Sequence, residues 1–254
     1  MANPLLLEIC VESVDHAIAA ERGGADRIEL CTDLASGGIT PSAELMQSAR
    51  QQVQVPIHAL IRPRAGDFCY SDSEFAEMRS QIGAAKQLGM DGVVLGILDQ
   101  RANVDIERTR ALVEFAKPLS VTFHRAFDAT HNLERSLEDV MQTGASRILT
   151  SAGKSRALDG LPALARLVRG AGTRIRIMPC GGINSENVAH IVRTTSAQEI
   201  HSSAGTSTAH SDGNGGSGAL SVEAGSGARP ELFEQKVAKL VNVLGGIARD
   251  ERKR

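Results

Sequence analysis

Eight times along the chain a short apolar run gives way to a segment of helical period, and this alternation limits the fold more than any other feature. LLLEIC (5–10) precedes SVDHAIAAER (13–22), which Gly23 and Gly24 stop. RIELC (27–31) leads through Gly37-Gly38-Ile39-Thr40-Pro41 into 42–52, where Thr40 is expected to cap the helix and Pro41 to open it. The other pairs are 57–62 with 74–88, 92–98 with 106–116, 120–124 with 133–143, 147–151 with 158–169, 175–180 with 185–194, and 199–203 with 231–249. Eight strand–helix units in 254 residues match an α/β chain folded as a single (β/α)8 TIM barrel spanning 1–254. A doubly wound sheet is the alternative, but no GxGxxG follows the first strand and no Walker A loop is present. Three helices run into the next strand through a glycine, a second residue and Asp or Ser (24–26, 89–91, 144–146), the weak internal repeat a barrel leaves.

One stretch breaks the pattern. Residues 205–229 are Gly/Ser/Ala-rich and lack an apolar period, so they are expected to be a disordered excursion, or else a mobile lid over the active face. The net charge of -2 offers no field for nucleic acid or an anionic membrane. Aromatics at 3%, with no Trp, leave little platform for stacking bases. No basic region precedes the apolar start at residues 5–7, and four cysteines without paired spacing form no disulfide framework. A cytoplasmic protein with reduced thiols is expected.

Strands covered on both faces normally read as unbroken Val/Ile/Leu, because each unpaired buried polar group costs several kcal/mol. Here five runs carry ionisable residues. Parity sorts them. Leu5, Leu7, Ile9, Ile28, Leu30, Ile57, Ala59, Ile61, Val121, Phe123 and Ile200 take the face beneath the helices. The other face points into the barrel with Glu8, Cys10, Glu29, Cys31, His58, Arg62, Thr122, His124, Glu199 and His201. Buried charges persist by pairing, and Arg62 is the expected partner of Glu8 and Glu29. Layer-filling salt bridges would explain part of this set. Polar residues at the C-terminal strand ends, where barrel active sites form, favour a functional pocket.

In that pocket Glu8, Glu29, His58 and His124 are the candidate acid–base groups. Arg62, Arg64, Arg125, His201, the Gly181-Gly182 turn, Ser202 and Ser203 are the candidate holders of a small anion, since the loops after the seventh and eighth strands often bind phosphate. Asp67, Tyr70 and Asp128 should share the rim, whereas His16, His131 and His190 should be solvated or on helix surfaces. Cys10 and Cys31 end inward positions on neighbouring strands about 4.8 Å apart. Two thiolates there would suit Cu(I); small buried cysteines simply filling the lumen are the plainer alternative. Cys69 falls on a loop, and the facing of Cys180 is open.

Several stretches together resemble the CutC family of copper homeostasis proteins: LEIC (7–10), GADRIELC (24–31), GGITPS (37–42), IRPRAGDFCYS (61–71), VTFHRAFD (121–128), ILTSA (148–152) and EIHSSAG (199–205). The resemblance covers residues 5 to about 205. It implies a cytosolic barrel, oligomeric as a homo-oligomer, linked to copper as Cu(I), with Cys10 and Cys31 at the positions the family uses for the metal. It also implies basic and aromatic residues after EIHSSAG, where this chain is Gly/Ser-rich. The polar lumen keeps a second reading open, an enzyme of proton-transfer or isomerisation type acting on a small anionic substrate.

Overall fold

The computed structural model describes residues 5–205 and 229–251. Eight parallel strands, β1 (Leu6–Val11), β2 (Arg27–Leu30), β3 (Ile57–Leu60), β4 (Gly92–Leu95), β5 (Ser120–Phe123), β6 (Arg147–Thr150), β7 (Arg176–Pro179) and β8 (Glu199–Ser202), lie side by side in chain order, with β8 next to β1. Each is followed by a helix: α1 (Val14–Arg22), α2 (Ala43–Gln52), α3 (Asp72–Gln87), α4 (Ile106–Ala116), α5 (Leu133–Thr143), α6 (Leu161–Ala171), α7 (Val188–Thr195) and α8 (Pro230–Glu251). Ladders join β7 through to β1 and on to β8, and β7 packs beside β8, so the barrel is nearly closed. The (β/α)8 architecture expected from the alternation is the one formed.

Local chemistry explains where the helices begin. Ser13, Ser42, Ser71, Asp105 and Asn132 each accept the backbone N–H three residues on, and Ser71 with Glu74 forms a reciprocal capping box. The cap of α2 is therefore Ser42. Thr40 instead accepts from the Arg62 backbone N–H and donates to Gln81, tying the β2–α2 loop to β3 and α3. β4 is shorter than its apolar run, because the Leu98 N–H is taken by the Phe68 carbonyl and the chain has left the barrel wall by then.

Leu7, Ile9, Ile28, Leu30, Ile57, Ala59, Ile61, Val121, Phe123 and Ile200 all enter the apolar layer between sheet and helices, as their parity requires. Each fully buried Ile or Leu adds about 1.5–3 kcal/mol relative to an exposed one, so one-residue slips of register are strongly disfavoured. α8 closes the ring with Phe233, Val237, Leu240, Leu244 and Ile247 buried on one stripe. Gly23 permits that contact, since a Cβ there would fall 2.7 Å from the Val237 Cβ. His16 lies in this seam rather than in solvent: it is buried, its ring meets Phe233 edge-on at 4.8 Å, and Ser13 bonds its Nδ1. No described helix is long and apolar enough to cross a membrane. The Gly/Ser-rich stretch, apart from its end residues Gly205 and Arg229, lies outside the described residues.

Candidate metal centre in the barrel lumen

The lumen holds the opposite parity, and its floor is an ion network. Register sets Glu8 beside Arg27 on one neighbour and beside His201 on the other. Arg27 bonds Glu8 through Nε and Glu199 through Nη2 at 2.7 Å, and Arg147 reaches the same Glu199 oxygen at 3.0 Å. Arg147 also donates to Ser120 and Thr122, and an Arg27 Nη2–H points at the Met178 sulfur at 3.2 Å. Burial opposes ionisation of Glu8, but Arg27 and His201 outweigh it and hold the carboxyl well below its usual range. Arg62 is not this partner. It lies one layer higher, giving Nη1 to the carbonyls of Gly38 (2.9 Å) and Ser36 (3.3 Å) and Nη2 to that of Gly66 (2.8 Å). Arg27 occupies the first position of RIELC with the same inward parity as Glu29, a signal that identifies it. Arg147 opens RILTS, where apolar residues fall on both parities (Ile148 and Leu149), so alternation does not single it out.

Above the floor, β1, β2 and β8 bring sulfur, carboxylate and imidazole together. Cys10 Sγ lies 3.5 Å from Cys31 Sγ and donates to Glu29 Oε1 at 3.5 Å. His201 Nδ1 is 2.8 Å from Glu8 Oε1 and 4.0 Å from Glu29 Oε2. Cys10, Glu29 and His201 each place a donor atom within 4.8 Å of the others. Burial, countered in part by His201, raises the Glu29 carboxyl to about 7. The bond to Cys31 and burial push the Cys10 thiol well above its usual range. Burial disfavours the His201 imidazolium, but Glu29 and Glu8 overcome it and raise its pKa. Gly38, in a left-handed conformation (φ +82°), roofs the thiols: a Cβ there would fall 2.8 Å from Leu60 and 3.7 Å from Cys31 Sγ.

Of the remaining candidates, His58 belongs to the floor, its Nδ1 3.9 Å from Glu8 Oε2, and the others lie toward the C-terminal ends of the strands. His58 projects inward because β4 offers only Gly92 opposite it, where a Cβ would fall 2.4 Å from the ring. His124 lies just beyond β5, its Nδ1 accepting the Ala126 N–H at 3.2 Å and its ring 5.0 Å from Phe68. Burial is the main cause holding both imidazoles neutral, with pKa values pushed down to about 3. Arg64 bonds Asp67 at 2.9 Å, Glu74 and the Cys69 carbonyl; Arg125 bonds Asp128 at 2.9 Å, Ser151 at 2.8 Å and the Lys154 carbonyl. Arg64 thus braces its own loop, and Arg125 ties the loop after β5 to the loop after β6. Tyr70 is buried rather than on an open rim. Gly181 and Gly182 turn the chain after β7 with φ +93° and +65°, and their carbonyls accept from Ala157 N–H and Asn187 Nδ2. Ser202 donates to the Ile183 carbonyl, and Ser203 sits one residue beyond at the strand's end. Cys180 faces the lumen with Leu149 and Met178, and burial raises its thiol far above the usual range.

Buried side-chain atoms without a hydrogen-bond partner are concentrated here. Among the described residues they are Glu29 Oε2, His58 Nδ1, Arg62 Nε, Tyr70 Oη and His124 Nε2, with only Thr109 Oγ1 elsewhere. Each such atom costs about 1–3 kcal/mol if nothing meets it. Such atoms call for water or a ligand to meet them.

Comparison with known proteins agrees with the geometry. Residues 5–206 match the model of the CutC family, ending where the Gly/Ser-rich stretch begins. The human copper homeostasis protein cutC homolog is 48% identical over 203 residues, 80% of this chain and 74% of its own length. A CutC family protein of Mesorhizobium japonicum is 46% identical over 77% of this chain and 76% of its own. The crystal structure of a putative copper homeostasis protein CutC from Streptococcus agalactiae superposes with TM-score 0.75 and 31% identity, covering 78% of this chain and 98% of that one. Thiamine phosphate pyrophosphorylase from Pyrococcus furiosus, at TM-score 0.60 and 16% identity, shares the barrel fold alone. With the family match spanning the whole barrel wall and the lumen residues it carries, this chain belongs to the CutC family.

Proposed function

We propose that this protein serves copper homeostasis by holding one Cu(I) between Cys10 and Cys31 in the barrel lumen, in a reducing, cytoplasmic setting. The observation that carries this is the pair of buried thiols 3.5 Å apart, too distant for an S–S bond of about 2.05 Å and close enough to share a soft ion. Cu(I) prefers thiolate to the oxygen and nitrogen donors nearby. The roof of Gly38, Leu34 and Leu60 keeps water from the pair. Because both thiols must lose a proton on loading, affinity should fall as pH drops.

Titration with Cu(I) under reductant, against a colorimetric Cu(I) chelator, tests the reading. One equivalent should bind. The double change Cys10→Ser and Cys31→Ser should lose it with the fold intact, while replacing Cys69 and Cys180 should leave it unchanged. Copper retained by the Cys10/Cys31 variant would show that these cysteines only pack.

A second reading, an enzyme for a small anionic substrate, is favoured by the unpartnered nitrogens of His58, His124 and Arg62. The neutral His124 imidazole, beside the Arg62 guanidinium, can exchange a proton with a bound anion. Thermal stabilisation by phosphate or a small carboxylate, lost in His124→Asn but kept in the Cys10/Cys31 variant, would support it. Equal stabilisation of all three proteins would remove it.

A further inference from the structure

The cysteine pair uses only part of the donor set. Glu29 and His201 stand beside Cys10 with no role in a two-thiolate site, and Glu29 Oε2 is 95% buried with the residue yet accepts no hydrogen bond. Its nearest cationic neighbour, His201, stands 4.0 Å away, outside hydrogen-bond reach. The spacing suits a metal cation. Bonds of about 2.0–2.3 Å to a tetrahedral zinc-class ion place neighbouring ligand atoms roughly 3.3–3.8 Å apart. Cys10 Sγ to Glu29 Oε1 is 3.5 Å, and one donor atom from each of Cys10, Glu29 and His201 lies within 4.8 Å of the others, so closure on one ion needs shifts of up to about 1 Å.

The outer shell is in place as well. An ionised Glu8, itself fixed by Arg27, accepts the Nδ1–H of His201 at 2.8 Å. A carboxylate on the far nitrogen of a ligating histidine fixes its tautomer and ring orientation and raises its basicity. Cys31 stands outside this group, its Sγ touching Cys10 and the Val11 carbonyl. One sulfur, one oxygen and one nitrogen form a mixed set that a borderline divalent ion accepts and a soft monovalent ion does not prefer.

We infer that the lumen has a second, overlapping metal mode, in which Cys10, Glu29 and His201 bind a divalent ion of the zinc class. Glu8 acts as the positioning residue behind His201, and a fourth coordination position is left open. The two modes share Cys10 and exclude one another, so the same lumen discriminates metals by which neighbours of Cys10 it engages. This inference rests on the lumen geometry and stands apart from the copper reading.

Co2+ serves as the spectroscopic probe and Zn2+ as its competitor, with the full-length protein under reductant. One Co2+ should bind with a sulfur-to-cobalt charge-transfer band and the strong visible bands of four-coordination, and stoichiometric Zn2+ should displace it. Glu29→Gln should weaken Co2+ by about tenfold or more while sparing Cu(I), and Cys31→Ser should do the reverse. Far-UV circular dichroism checks that each variant folds. His201→Asn, which keeps a donor for Glu8, reads the same loss by a second route. Cobalt bound without a sulfur band, or weakened by Cys31→Ser as much as by Glu29→Gln, would overturn the inference. Cu(I) retained in Cys31→Ser would instead sink the copper reading and leave this one standing.

Discussion

Arg27→Met is the sharpest test of whether the lumen is a dry, paired network. The substitution keeps a long apolar stem and removes the guanidinium that bonds Glu8 and Glu199. Breaking a buried pair by deleting one partner costs about 3–5 kcal/mol, because a charge is left without compensation. Glu199 keeps Arg147 at 3.0 Å, and Glu8, fully buried, keeps His201 at 2.8 Å. The loss should therefore sit near the low end, about 3 kcal/mol. At about 2–4 °C per kcal/mol for a chain of this size, the midpoint should fall by roughly 6–12 °C. Thermal and urea unfolding followed by far-UV circular dichroism at pH 7 measure it. Adding Glu8→Gln removes the stranded charge as well, so the double variant should recover part of the loss. If Arg27→Met shifts stability by under about 1 kcal/mol, or the double variant is no better than the single one, the floor is hydrated and the pairing argument is wrong.

His124 and His58 are held neutral with pKa values near 3 against an ordinary 6.5. The unfolded chain therefore binds more protons between those values, so stability is present above about 6.5 and is lost as the pH falls. Glu29, raised to about 7, acts in the opposite sense between about 4.5 and 7. Two histidines against one carboxyl leave a net fall on acidification below 6.5. His124→Asn, which retains an acceptor for the Ala126 N–H, should flatten that slope by up to about 1.4 kcal/mol per pH unit in urea titrations run from pH 7 to 5; an unchanged slope would refute the assignment. Gly92→Ala should cost about 1–3 kcal/mol, because its Cβ would meet the His58 ring at 2.4 Å. Gly245→Ala, in the exposed interior of α8 with nothing within 4 Å of a Cβ, should gain about 0.5–1 kcal/mol. If the two glycine variants unfold alike, the contrast between lumen and surface is not the cause.

The barrel and the inside–outside assignment of its wall were legible in the chain. Both follow from strict periodicities: a strand's side chains alternate every residue, so Glu8, Cys10, Glu29, His58 and His201 had to share the face that Leu7, Ile9, Ile28 and Ile57 left. Helix starts were equally local, although Ser42 won the cap from Thr40 because Thr40 was needed to bond Arg62. Which inward residues meet depends instead on strand register and barrel stagger, and no period in the chain encodes either. Only the tertiary structure shows Arg27, nineteen residues on from Glu8, as its counter-ion, and turns Arg62 to the carbonyls of Ser36, Gly38 and Gly66. The same stagger lowers Cys10 between Cys31 and Glu29 and brings His201 from the last strand of the barrel to the first. The donor cluster of Cys10, Glu29 and His201, drawn from three strands, is a property of that closure, since no local pattern in the chain encodes it.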